Sequence, residues 1–551
     1  MKRLYIFALL LSFTALLHAQ NTSSRYTKAS VLASGKWVKM AVTSPGIYQL
    51  STSNLKSMGF SNPAKVRLYG LNLEVLPETS IENIDDDLVE IPLYHTADKV
   101  LFYGRGSTNW TLSSSSGTAA LFTHLNNPYS SRTYYFLTES DSITPKSFEK
   151  FAYEVPEATE RQTTFPEHQL IEKDAFSFLN AGRTFFDSYD FANGNSQTYS
   201  LSLPGIAPST SVRLSVQFGA AGKKSSSVAI SFNDSACGTL SFAALSEYEY
   251  GKVSSRTITL PAPKQESNNV KLVHTRESGI AGHIDYIRAS YIRRLNLTGN
   301  ELLFRPNATG SVVFSLTGGN ASTIFWRISN AKGIEEVEGT FDSSTNTWSI
   351  PFTSDTSTSA NDWKSEELIA LNPSATFPTP TMVGNVENQN LHALRNIDFV
   401  IVVPNSGKIT QQAQRLADIH TQVDTMKCAV VTANQVYNEF SAGKPDATAI
   451  RRFMKMLYDT ASTPAQRPKN LLLFGDCIWD NRLITPGLSK LNADDYLLCY
   501  ESENSISHTN SYILEEYFAL LDDNGAANVL NEKPRIGVGR IPATTTAQAK
   551  G

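Results

Sequence analysis

Cysteine is scarce in this chain: four in 551 residues, at positions 237, 428, 477 and 499. So few, so scattered, do not build a disulfide framework. No CxxC and no HExxH occurs, and the nine histidines are dispersed, which removes the usual zinc sites. GxxxxGK[ST] and GxGxxG are absent, so no phosphate-cradling loop opens a helix. Without GxSxG, the usual serine hydrolase of an α/β sheet is excluded too. Charged residues make up only 18%, with no basic patch interleaved with aromatics, so nucleic acid is not an expected partner. No apolar run reaches the roughly 20 residues that a membrane-spanning helix needs.

What is present starts with an export signal. Lys2 and Arg3 precede an apolar stretch from Leu4 to Leu17, and Leu17-His18-Ala19 offers a small-residue cleavage site before Gln20. Residues 1–19 are therefore expected to be removed, which takes the net charge from −4 to −6 by loss of two basic residues. The length suggests about three or four domains. Hydrophobic residues at 41% and aromatics at 10% fit a globular chain.

Residues 20–150 read as an N-terminal β-rich domain. Trp37, Val38 and Met40 to Val42, a turn at Ser44-Pro45-Gly46 and Ile47 to Leu50 give two strands, with a short helix ending at Gly59. VRLYG (66–70), VEIPLYH (89–95) and KVLFYGRG (99–106) add others. Residues 176–295 carry many short alternating runs punctuated by Gly, Pro, Asn and Ser, the pattern of a jelly-roll-like sandwich; His274 and His283 lie in strands there and read as structural. Residues 301–352 are further β-rich sequence. Residues 371–396, with three prolines and no clear period, read as a linker.

From 397 the pattern changes to βαβαβ, the signature of a parallel sheet. DFVIVVP (398–404) is the first strand, CAVVTANQVYNEF (428–440) gives the second strand and a short polar excursion, and NLLLFGDCIWDNR (470–482), whose apolar residues stop at Gly475-Asp476, gives the third. Ile409, Ala413, Leu416, Ala417, His420 and Val423 recur at helical spacing. So do Ile450, Phe453, Met454, Leu457, Tyr458 and Ala461, behind a Pro445-Asp446 start. Reacting groups collect at the carboxyl ends of such strands, which draws attention to Gly475-Asp476-Cys477.

A Cys477 thiolate would need an imidazole, and His508 is the nearby candidate in sequence, with Cys499 between them. The structural reading is that Cys477 is a buried thiol, as free cysteines commonly are, and that His420 is packed on its helix. Asp85-Asp86-Asp87 and the loop acids Asp476, Asp480, Asp494, Asp495, Asp522 and Asp523 could offer oxygens to calcium or serve as caps and turns. No cofactor is otherwise expected.

SGKWVKMAVTSPGIYQL (34–50), NPAKVRLYG (62–70) and KVLFYGRG resemble the front of a known family. So do PDATAIRRFMKMLYD (445–459), LLLFGDCIWDNR (471–482), YESENSIS (500–507), YFALLDDN (517–524) and RIGVGRIPA (535–543), in the same order. The chain is similar to the gingipain-type cysteine peptidases, and among them to the cell-surface signal peptidase, or sortase, of type IX secretion in Bacteroidetes. The resemblance implies a caspase-like α/β domain behind β-rich domains. It implies an enzyme that removes C-terminal sorting domains from exported cargo and joins the cargo to a lipopolysaccharide anchor, working with secretion components at the outer membrane.

It also implies a Cys/His dyad placed after the segment matched by RIGVGRIPA. The chain has no His-Gly pair, and no catalytic residue is carried over: the dyad is expected beyond Gly551, with 397–551 a first half-domain and the chain itself inactive. The relatives' Asp-Asp-Tyr-Phe block reads Glu515-Glu516-Tyr517-Phe518. A non-catalytic surface adhesion or carbohydrate-binding protein is the alternative that the sandwich suggests.

Overall fold

The computed structural model describes residues 25–550 except 117–118, 157–159, 330–332, 355–365, 524–525 and 528; the expected signal peptide lies outside the described residues. The architecture is β-rich, with few helices and a parallel sheet at its C-terminal end.

The N-terminal unit is built on two sheets. Five strands run in the order Thr381–Val386, Trp37–Val42, Thr133–Glu139, Val66–Gly70 and Val89–Ile91, and three more in the order Gly46–Ser51, Lys99–Gly104 and Tyr94–His95. The turn at Ser44-Pro45-Gly46 therefore makes no hairpin: Trp37–Val42 pairs with Thr133–Glu139, while Gly46–Ser51 pairs with Lys99–Gly104. Val38, Leu68 and Phe102 share their core with Trp326, Ile369 and Leu371 from the 301–371 region. The proline-rich 371–396 stretch is tied down at both ends of that core. Its strand Thr381–Val386 closes the edge of the first sheet, and Asn388 and Gln389 bond the Leu32 carbonyl.

The sandwich has two four-stranded sheets, one of them Thr164–Glu172, Ala281–Arg294, Ser211–Ala221 and Lys252–Pro261, packed over Leu214, Val216, Ile230, Leu272 and Ile287. Its first strand begins at Thr164, paired along Ala281–Arg294 and ahead of the expected 176; Pro166, Glu167 and His168 break the alternation that would have marked it. A hairpin, Thr108–Ser116 and Ala119–Asn126, seats Leu112 and Phe122 on Ile292 of the sandwich.

The α/β unit holds four parallel strands in the order Cys428–Thr432, Phe399–Val403, Asn470–Phe474 and Gly537–Ile541. Helix Thr410–Val423 covers one face through Ala413 and Ala417; Ala433–Phe440 and Ala447–Asp459 cover the other. Asp446 caps the last of these, accepting from Thr448 N at 2.8 Å.

That helix is buried on its polar face as well. Arg451, Arg452 and Lys455 are all at or below 5% exposure, because the 73–88 segment of the N-terminal unit and the 519–523 segment lie over them. Arg451 Nη1 donates to Glu78 O at 2.5 Å and Nε to Leu520 O at 2.6 Å. Arg452 Nη2 donates to Asp85 O at 2.5 Å, and Lys444 Nζ to Leu73 O and Glu74 O.

The Asp85–Asp87 run works in the same seam. Asp87 accepts from Val31 N and Leu88 N. Asp86 Oδ2 lies 3.2 Å from His392 Nε2, and Glu439 Oε2 lies 2.5 Å from His392 Nδ1. Burial alone would lower the His392 pKa, but the flanking Asp86 and Glu439 carboxylates outweigh it and raise the pKa to about 9. Since the folded value lies above the ordinary histidine value of 6.5, this stabilisation is complete below about pH 6.5 and is lost as pH rises through about 9. Its upper bound is about 3 kcal/mol.

Lys39, which burial pushes down to about 7, acts oppositely, gaining stability as pH rises from there. The wild type must therefore be compared with His392→Gln. The stability difference between them, from urea unfolding, should be largest at pH 6 and shrink by about 2–3 kcal/mol by pH 10.

Candidate functional site at the carboxyl edge of the parallel sheet

The third strand ends where the sequence pattern says it should, at Phe474. Gly475 follows in the tightest approach of the edge: a Cβ there would sit 2.7 Å from Pro404 Cγ at the end of the first strand and 3.0 Å from Leu497 Cγ. Asp476 O accepts from Leu497 N at 2.8 Å and Asp476 N donates to Ala543 O at 3.3 Å. This residue therefore links the third strand, the 497–501 segment and the end of the fourth strand.

Cys477 is half-buried beside the fully buried Cys499. A hydrogen bond with Cys499 lowers the Cys477 pKa; burial opposes this and the Arg540 guanidinium assists it. The same bond, with burial, pushes Cys499 far up. Arg540, on the fourth strand, holds the edge together. Its Nε donates to Glu515 Oε1 at 2.6 Å, Nη1 to Gly475 O at 3.1 Å and Nη2 to Leu498 O at 2.9 Å. Glu501, 1% exposed, lies close by, and burial raises its carboxyl to about 8.

His508 is not brought to this cluster. Its ring stacks on Tyr250 at 4.5 Å and its backbone N donates to Tyr248 O, both in the sandwich. The groups that set the Cys477 thiol are Cys499, Arg540, Glu515 and Asp476, so no thiolate–imidazole pair is assembled here. His420 is only partly packed, edge-on to Phe399 and 2.7 Å from Asp424. His274 is buried and His283 stacks on Phe176, both within the sandwich.

The acidic candidates are dispersed. Asp480 accepts from Thr485 N and Oγ1, Asp495 pairs with Lys408, Asp522 with Arg535, and Asp523 with Arg25 and Lys455. Among the described residues no group of three or more such side chains is arranged to hold a metal ion. Glu515 is a partner of Arg540, and Tyr517 is a core residue stacked on Tyr500 at 4.0 Å, so the Glu-Glu-Tyr-Phe block holds the fourth strand in place.

One residue of this edge escapes sequence reading. Lys39, from the N-terminal sheet, enters the α/β unit and donates to Gly443 O at 2.8 Å and Asn438 Oδ1 at 3.1 Å. Gly443 has φ +77, and a Cβ on it would meet Lys39 Cε at 2.5 Å, so only glycine admits the lysine. The available signal was a lone lysine inside WVKMAV, a strand buried along its whole length.

Residues 392–551 match the model of peptidase family C25. The crystal structure of dimeric latent PorU from Porphyromonas gingivalis is 26% identical and matches with a TM-score of 0.84, over 97% of this chain and 50% of that one. The chain is of the PorU and gingipain type. It spans about half the length of that relative. No curated protein matches it.

Two CBM36 structures, one from a xylanase of the Trinervitermes trinervoides hindgut metagenome and one in complex with calcium and xylotriose, are 10% and 16% identical. They cover 22% of this chain, and 96% and 98% of their own, at TM-scores of 0.17 and 0.16; scores that low carry no argument. Among the described residues no helix is long and apolar enough to cross a membrane.

In this PorU-type edge, removing the partner that most lowers the Cys477 pKa should be measurable. Cys499→Ala should shift the pH midpoint for alkylation of Cys477, mapped by mass spectrometry, upward toward about 9, with the fold retained. An unchanged midpoint would show that the two sulfurs do not share a proton.

Proposed function

We propose that this chain supplies the front half of a cell-surface cysteine endopeptidase and sortase. It would be exported by the segment at 1–19 and serve type IX secretion by removing C-terminal sorting domains from exported cargo and joining the new carboxyl end to a lipopolysaccharide acceptor. The observation that carries this reading is the pairing of a C25-matching parallel sheet with a PorU-like arrangement of the β-rich units ahead of it. Secretion components of the outer membrane are its expected partners.

The chemistry asks for a thiolate and an imidazole at the carboxyl edge. The thiol passes its proton to the imidazole and attacks the scissile carbonyl, the imidazolium protonates the leaving amine, and water or an acceptor amine then resolves the thioester. Cys477 has no imidazole among the groups that set its thiol, in keeping with a dyad expected beyond Gly551. The sheet's part is then positional. Gly475, Asp476 and Arg540 fix the end of the third strand against the fourth, so that further strands added beside Gly537–Ile541 would deliver their residues to the same edge.

The test compares the 551-residue chain with the product of the same reading frame extended past Gly551, using a peptide that spans a cargo sorting-domain junction. The extended product should cleave it and the 551-residue chain should not. Cys477→Ala in the extended product should leave the rate within about twofold. A loss on the scale of removing a nucleophile, about 10⁴-fold or more, would make Cys477 the reacting thiol and overturn this reading.

A further inference from the structure

Between the three units lies a cavity of about 640 Å³, within the size range of small-molecule sites. Its walls come from the 75–79 segment and the hairpin end at 123–129, from the outer face of the sandwich, and from Arg482 and Glu503 of the α/β unit. Six carboxyl side chains line it against three guanidiniums.

The guanidiniums are engaged through their terminal nitrogens, while the Nε of each is buried without a hydrogen-bond partner among the described residues. Arg183 binds Glu78 with both nitrogens and lies over Tyr500 at 5.1 Å. Arg482 binds Asp174 at 2.7 Å and lies over Phe185 at 5.1 Å. Arg288 donates to His124 Nδ1 at 2.7 Å and lies over Tyr286 at 4.9 Å. Because arginine only donates, His124 Nδ1 accepts and its proton is on Nε2. That nitrogen lies 3.0 Å from Glu172 Oε2 but outside hydrogen-bond geometry.

Asp285 has no cationic partner among the described residues. It is 6% exposed, and its one hydrogen bond among the described residues comes from Gln217 Nε2, at 2.5 Å on Oδ2. A β-bulge puts it there: Gln217 is opposite Tyr286 and Phe218 opposite Ile284, so Asp285 is the extra residue. Ile284 and Ile287 point into the sandwich core, while Asp285 joins Tyr286 and Arg288 on the cavity side. Bulges re-aim side chains in this way beside functional sites.

We propose that this cavity binds an organic cation, a primary ammonium or guanidinium group, whose charge is taken by Asp285 with Glu172 beside it. The wall carries more acid than base, each guanidinium already holds a partner on its terminal nitrogens, Asp285 has only the neutral Gln217 amide, and Glu172 Oε2 is buried with no hydrogen-bond partner among the described residues. Burial first, and then the neighbouring Glu172 and Asp174, pushes the Asp285 pKa up to about 8, with Gln217 opposing. At neutral pH the site therefore holds a proton, which a bound cation would displace to solvent. The charged and titratable neighbours are Glu172 and Asp174 at the end of the opposing strand, Arg288 and Tyr286 on the same strand and His124 on the hairpin. The inference does not depend on the peptidase reading.

The experiment is calorimetric titration of the full chain with cadaverine, with 1,5-pentanediol as a charge-free control, in buffers of different protonation heat. Cadaverine should bind saturably with release of close to one proton at pH 7, and the diol should not bind. Affinity should rise up to tenfold between pH 6 and pH 7 and level off above pH 8. Asp285→Asn should weaken binding at least tenfold and Glu172→Gln less. Absence of saturable binding, equal binding of the diol, or an affinity unchanged between pH 6 and pH 8 in the wild type would overturn the proposal, whether or not the variants fold.

Discussion

Buried cations resting on backbone carbonyls at the seam between the N-terminal unit and the α/β unit are the interaction on which the other contacts depend. Lys444, Arg451, Arg452 and Lys455 lie on or just before one helix, and each gives its charge to carbonyl oxygens: those of Leu73, Glu74, Glu78, Asp85, Leu520 and Leu521. A buried charge without such partners costs several kcal/mol. The 73–88 segment therefore works as the other half of a solvation shell, and neither side of the seam is complete without it.

Glu78 shows how the constraint spreads. Its backbone carbonyl receives Arg451 of the α/β unit, its carboxylate receives Arg183 of the sandwich, and Tyr500 Oη donates to Oε2 at 3.3 Å. One residue thus holds all three units in a common geometry. The sandwich adds a backbone contact of its own, with Arg183 N and Thr184 N donating to Ser502 O and Glu503 O. A Cβ on Gly182 would fall 2.0 Å from Asn504 O, so the approach is close enough to require glycine, and φ +75 requires it independently. The cavity between the units has its shape because these contacts fix the distance.

Much of the fold could be read from apolar period. The bare apolar strands at 399–403 and 470–474 and the stripe from Ile450 to Leu457 identify the parallel sheet and its covering helix, because burial of one face is a local property of sequence. What escaped is set by distant partners. The helix Ala433–Phe440 was hidden by Asn, Gln and Glu, although Thr432 and Gln435 make a capping box that signals its start. Arg451, Arg452 and Lys455 look like a solvated face until the N-terminal segment is laid over them. Asp86 and Asp87 look like a solvated turn or a metal loop until His392 and the Val31 amide are seen, more than 50 residues away on either side.

The site was the least legible part, for the same reason. Gly475-Asp476-Cys477 was correctly placed at the rim, since a parallel strand's end is a local feature. Its chemistry was not local. The thiol's surroundings come from Cys499, Glu515 and Arg540, none of which shares its strand, and the one histidine suggested by proximity in sequence packs against the sandwich. The strongest geometric demand at the rim is Gly475, where two strand ends and Leu497 leave no room for a side chain. A scaffold that packs Gly475 against the end of the first strand and uses the Arg540 guanidinium to join the third strand to the fourth is specified for position. Reactivity at such an edge depends on which groups are brought to it, and the rim residues themselves are already committed to holding it still.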